Sequence, residues 1–182
     1  MATPETLTVV PAGIWRADPI HSSVGFEVSY LAGTFRGQFR EIDAELAVAD
    51  DGRARLRGVA HVVSVDVKDD SLAAHLQSPD FFDAERHPEL RFAADDVSLD
   101  GEILQAEGEI TIKGVTKPVV VTGAAAAPLT DPYGNERIGL ALRGTVDRTE
   151  FGVSWNAPLP SGKQALSNDV TIVAELYFVR SS

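Results

Sequence analysis

Apolar and polar residues alternate with a period of two through most of this chain, and that pattern leaves few folds open. Val24, Phe26, Val28 and Tyr30 share one face, and Ser23, Gly25, Glu27 and Ser29 the other. Successive side chains of a β-strand point to opposite faces, so this is a sheet with one apolar side. The pattern returns in Phe35, Gly37 and Phe39, and in Ile42, Ala44, Leu46 and Val48. It returns again in Leu56, Gly58, Ala60 and Val62, in the run Leu104–Ile112, and from Ile138 to Val146. A change of parity near Arg40-Glu41 predicts a bulge or bend. Asp50-Asp51-Gly52, Asp100-Gly101 and Lys113-Gly114 supply turns, and Val170–Val179 is a last strand, apolar on both faces. About eight long strands with short connections and no βαβ rhythm make an antiparallel sheet. Closure into a barrel removes exposed edges. A two-sheet sandwich fits the alternation equally well.

One stretch breaks the pattern, SLAAHLQSPDFFDAERHPELRF from Ser71 to Phe92. Asp70 is an N-cap candidate, and Leu72, Ala73 and Leu76 form one apolar stripe of a helix. Ser78 offers a second N-cap, with Pro79 at the first helical position, where its missing N–H is harmless. Phe81 and Phe82 are adjacent, so a short helix cannot aim both into one pocket. His87-Pro88 ends the segment, because a residue before proline avoids the α region. A helical insertion in a β chain is expected to plug or lid something.

The same segment carries a family resemblance. His75-Leu76, Ser78, Asp80-Phe81-Phe82-Asp83, Pro88 and Phe92 resemble the central motif of the YceI-like family. His21-Ser22 with Val24 and Phe26, the run Leu104–Val119 and Arg148–Gly152 (RTEFG) match it too, so the likeness spans about Trp15 to Val179. It implies an all-β fold, an antiparallel eight-stranded lipocalin-like barrel with a short helical insertion. It also implies binding of long apolar molecules such as polyisoprenoids, and it decides between barrel and sandwich. Residues 1–12, with two prolines and no periodicity, are read as a flexible tail, and 13–182 as the barrel domain.

Composition narrows the partners. A net charge of −11 opposes nucleic acid, where Lys and Arg neutralise phosphates. It equally opposes docking on anionic lipid by charge. The chain has no cysteine, so thiolate chemistry and disulfides are excluded. No stretch approaches the roughly 20 apolar residues of a membrane span. MATPETLTVVPAGIW lacks a basic start and an apolar run of signal-peptide length. The chain is therefore read as cytoplasmic, without stable membrane insertion, whereas many members of the resembling family are exported. A homodimer stays open.

Small residues recur at mid-strand on the apolar faces: Gly58, Ala60, Ala106, Gly108, Gly123 and Gly144. An eight-stranded barrel is either filled by side chains or just wide enough for one small ligand. Glycines also relieve crowding where a sheet bends. Their recurrence favours a cavity, lined by Phe26, Phe39, Leu76, Phe81, Phe82, Phe92, Phe151 and Trp155. Burying about twenty methylene-sized groups there gives roughly 16 kcal/mol gross, much of it offset by lost ligand freedom.

No catalytic residue is assigned. His21, His61, His75 and His87 lack metal-ligand spacing, and no metal is expected. His21 and His75 are candidates either for a polar ligand head or, by preference, for tying the insertion to the first long strand. Arg148 is a candidate, by preference, for an ion pair closing the barrel end, or else for a pyrophosphate or quinone head. The expected partner is an apolar small molecule, with a polyisoprenoid or isoprenoid quinone as the bound group. The alternatives are an enzyme acting on such a molecule, with His21 or His75 as acid/base, and a packed barrel serving protein contacts.

Overall fold

The computed structural model describes residues 10–100 and 102–181. Strands β1 to β6 are Gly13–Ala17, Ser23–Tyr30, Gly33–Phe39, Ile42–Val48, Ala54–His61 and Val65–Asp66. Helix α1 is Asp70–Gln77. Strands β7 to β11 are Glu89–Asp100, Ile103–Ile112, Val115–Thr130, Glu136–Asp147 and Leu166–Arg180.

The short strands join end to end. β1 and β2 lie along one edge of β11, with Trp15 opposite Arg180 and Val24 opposite Ala174. β4 and β3 pair with β1 and β2, and β5 and β6 pair with β4 and β3. Three bent strands and five continuous ones therefore make eight staves, every pair antiparallel, closed by β1 on β11. The expected barrel is what the chain forms. The parity change at Arg40-Glu41 is the bend between β3 and β4. Opposite it, a 3-10 turn at Val62–Ser64 separates β5 from β6.

That break positions the insertion. β5 pairs with β7 as far as His61 opposite Glu89, whereas β6 pairs with β3. The chain between β6 and β7 holds α1 and a set of turns. Asp69, rather than Asp70, caps α1, accepting from the Leu72 N–H at 2.9 Å. The second helix expected at Ser78 does not form. The Ser78 hydroxyl donates to the His75 carbonyl at 2.6 Å, and Phe81 and Asp83 donate their N–H groups to the Ser78 carbonyl. Ser78 therefore closes α1 instead of opening another helix, a local competition typical of serine.

The barrel is packed at one end and hollow at the other. Trp15, Leu46, Leu104, Ala106 and Phe178 are essentially fully buried at the packed end. Trp15 Nε1 donates to the Pro11 carbonyl at 3.0 Å, and Val10 is fully buried. Of the segment read as a tail, residues 1–9 lie outside the described residues.

Most of the mid-strand glycines belong to closure, which corrects the cavity argument made from their recurrence. A Cβ on Gly108 would stand 2.3 Å from the Ala93 carbonyl oxygen, and one on Gly123 1.7 Å from that of Ala141. One on Gly144 would stand 2.8 Å from Val121 Cγ1. Only at Gly58 is there room, the nearest atom lying 3.9 Å away. Among the described residues no helix is long and apolar enough to cross a membrane.

Candidate ligand cavity

A cavity of about 380 Å³ occupies the end of the barrel beside α1. An apolar cavity of about 150 Å³ already takes benzene, and ligand sites run from about 300 Å³ upward. Its floor is set by Leu56, Leu142 and Leu176, buried residues on three different strands. Its walls are aliphatic and aromatic, as inward alternation on β2, β3, β5 and β10 requires.

Two aromatic groups line the cavity. Phe26 on β2 stands 6.1 Å from Phe35, 6.0 Å from Phe39 and 6.0 Å from Phe82, centroid to centroid. Phe39 and Phe82 meet edge to face at 5.7 Å. Gly37 lies under this group, since a Cβ there would come within 2.6 Å of the Phe26 ring. The second group is His75, Phe81 and Trp155. His75 is T-shaped against both others at 4.9 Å, and Phe81 to Trp155 is 5.5 Å. Phe81 and Phe82 thus both face the cavity, and the bar on a short helix aiming both into one pocket does not apply. Turns rather than a helix carry them, and each joins a different group. Leu76, Phe92 and Phe151 complete the lining residues expected from the sequence. Phe35 was missed, although it shares the alternating face of Phe39.

The two candidate histidines part company. His75 lines the cavity, with Nε2 3.0 Å from Asp80 Oδ2. His21 does not line it. Its side chain, 66% exposed, pairs through Nδ1 with Asp18 Oδ2 at 2.7 Å, in the bend between β1 and β2. It therefore neither reaches a ligand head in this cavity nor ties α1 to β2.

Arg148 differs from its preferred reading as an ion pair. It opens a 3-10 turn, Arg148–Phe151, and is only 6% exposed. Nε donates to the Ser167 carbonyl at 2.9 Å, and Nη1 donates to those of Val153 and Trp155, both at 2.8 Å. These bonds pin the loop between β10 and β11, where Asn156 also bridges to Leu166. Nη2 has no partner among the described residues. Burial pushes the guanidinium pKa down and Asp147 opposes it, but arginine stays charged in proteins. Arg148 is thus a buried cation in the wall of an apolar cavity.

A closed antiparallel barrel with an apolar chamber beside a helical insertion defines a lipocalin-like binding fold. The chain belongs to the YceI-like family, whose domain model matches residues 15–178. It is 28% identical over 134 residues to a UPF0312 protein of Photorhabdus laumondii, covering 72% of this chain and 70% of the relative. It is 27% identical over 136 residues to protein YceI of Escherichia coli O6:H1, covering 73% and 71%. The structure resembles BcnA of Burkholderia cenocepacia, with TM-score 0.72, 19% identity, and 88% and 98% of the two chains covered. It also resembles a polyisoprenoid binding domain from Saccharophagus degradans, with TM-score 0.67, 11% identity, and 94% and 100% covered.

Proposed function

We propose that this protein binds a long apolar molecule of the isoprenoid class, an isoprenoid lipid or quinone, and stores or carries it without chemical change. The observation that carries the reading is the chamber beside α1, walled by aliphatic and aromatic side chains in a barrel whose other end is packed. Desolvation of the ligand tail supplies the affinity. The shape of the chamber sets which tails fit, and the Phe81, Trp155 and His75 group forms part of its wall. Support by likeness comes from the neighbour in Saccharophagus degradans described as a polyisoprenoid binding domain. A binding role accounts for His75 without chemistry, since its ring is packed between Phe81 and Trp155 and its nitrogen is engaged by Asp80.

The test is mass spectrometry of an organic extract of the purified protein, beside a mock purification. A stoichiometric lipophile, absent from the mock and recovered unaltered after reloading, supports binding and carriage. Conversion of the reloaded molecule to a product replaces the reading with an enzymatic one. An extract that stays empty after incubation with polyprenyl lipids and quinones defeats it.

A further inference from the structure

We infer that Gly58, on β5, sets the length of tail this cavity takes, because the innermost part of the ligand lies against the bare β5 backbone there. The inference rests on the cavity-binding reading and adds the residue that limits chain length.

Gly58 occupies an inward position of β5, between Leu56 and Ala60. Its neighbours Arg57 and Val59 also line the cavity, as do Asp43 and Arg91, which stand opposite Val59 on β4 and β7. Alternation points these side chains to the outer face of the sheet, where Arg57 pairs with Asp95 and Arg91 with Glu89. The cavity therefore meets these residues through their backbone, and at Gly58 no side chain covers the sheet. The fold gives no reason for a glycine at this place. A Cβ would meet nothing nearer than 3.9 Å, unlike those on Gly108, Gly123 and Gly144. Its φ is not in the left-handed region. The register with β4 and β7 is unbroken through Gly58, and the shift on β5 lies between Ala54 and Leu56. Glycine inside a strand weakens it, and where closure, bulge and positive φ are all absent it marks the close approach of a ligand.

Gly58 lies near the bottom of the chamber. Leu56, the next inward residue toward the packed end, belongs to the floor and pairs with Leu46 and Ala94, and all three are buried. The apolar end of a tail goes innermost, since an unpaired polar group buried there is costly. A side chain on Gly58 would fill the space that the last carbons of the tail take, and that of leucine is close in size to one isoprene unit.

The experiment holds the head constant and changes the length of the tail. Geraniol, farnesol, geranylgeraniol and geranylfarnesol are titrated by calorimetry into the full-length protein and into Gly58→Leu. In the wild type the affinity is expected to rise with each isoprene unit until the cavity is full. Gly58→Leu is expected to end that rise one unit sooner. Across the last step that gains affinity in the wild type, the long-to-short affinity ratio should then fall about tenfold or more. A length profile of unchanged shape, uniform weakening at every length included, overturns the role of Gly58 and leaves cavity binding standing. Failure of every alcohol to bind the wild type overturns both. Location is read in the wild type, whether or not the variant folds, from nuclear Overhauser contacts of 13C-labelled terminal methyls on the tightest-binding alcohol. Contacts to the Gly58 Hα protons and to the methyl of Ala44, its partner on β4, are expected. Contacts of those methyls to Tyr30 and Phe35 with none to Gly58 overturn the placement.

Discussion

Arg137 Nη1 donates to Asp18 Oδ2 at 3.0 Å, which ties the bend between β1 and β2 to the start of β10. The same guanidinium donates from Nε to Asp131 at 2.6 Å, in the loop between β9 and β10. One arginine thereby joins three segments at the packed end of the barrel, far in sequence and held by charge-assisted bonds. Asp18 also receives His21, which explains that histidine without a ligand.

This network makes stability acid-sensitive in a definite window. The His21 and Arg137 hydrogen bonds hold the Asp18 carboxyl at about 2 instead of 3.8. The Arg137 and Asn135 bonds hold Asp131 at about 2 as well. A carboxyl with a depressed folded-state pKa binds protons more readily in the unfolded chain, so it stabilises the fold above the unfolded value. That contribution is present in full above about pH 4 and is lost as the pH falls toward about 2. Asp18→Asn is expected to lower the melting temperature by about 2–4 °C at neutral pH, the scale for a chain of this size. It should also flatten the decline between those two pH values. Calorimetric melts of wild type and variant across that range check it, and parallel declines would defeat the assignment.

The glycines of the barrel give a second test, because they look alike in sequence and differ in surroundings. A Cβ on Gly58 meets nothing nearer than 3.9 Å, whereas one on Gly108 meets the Ala93 carbonyl oxygen at 2.3 Å and Ala94 Cα at 2.9 Å. Gly58→Ala is expected to be neutral or to stabilise by about 0.5–1 kcal/mol through the unfolded chain. Gly108→Ala forces two strands apart and is expected to cost about 2 kcal/mol or more. Urea midpoints of the two variants separate a glycine that borders a cavity from one that permits closure.

Helix α1 supplies the third. Asp69 caps it from outside and Asp70 is its first residue. Loss of an N-cap acceptor costs about 1 kcal/mol, while an exposed first-turn acid contributes only a few tenths through the helix dipole. Asp69→Ala should therefore destabilise clearly more than Asp70→Ala. Because α1 borders the cavity through Leu72, His75 and Leu76, Asp69→Ala should also hasten ligand release. Equal effects of the two substitutions in equilibrium unfolding would contradict the cap.

The barrel itself was legible because alternation is a property of neighbouring residues, and each stave writes it locally. Phe35 could have been read from the same face as Phe39, and Gly37 between them belongs to the bed of the Phe26 ring. What sequence could not reveal depended on distant partners. The Arg148 donors find carbonyls 5, 7 and 19 residues downstream, so the residue looked like one half of an ion pair. Ser78 reads as an N-cap in isolation, and only the His75 carbonyl at the end of α1 turns it the other way. His21 and His75 both belong to resembling motifs, yet the barrel places one at the bend beside Asp18 and the other at the cavity.

The two tryptophans make the position of the ligand directly observable. Trp15 is fully buried at the packed end, with its indole N–H on Pro11. Trp155 lines the cavity against His75 and Phe81. Heavy-atom quenching acts only at near contact, so a dibrominated fatty acid seated in the cavity should quench Trp155 and spare Trp15. Trp15→Phe is expected to retain most of the quenching seen in the wild type, and Trp155→Phe to lose most of it. Trp155→Phe keeps a ring against His75, so its affinity for the probe should change by no more than about 1–1.5 kcal/mol, the scale of an aromatic contact. Quenching that follows Trp15 would put the ligand at the packed end, against the chamber beside α1.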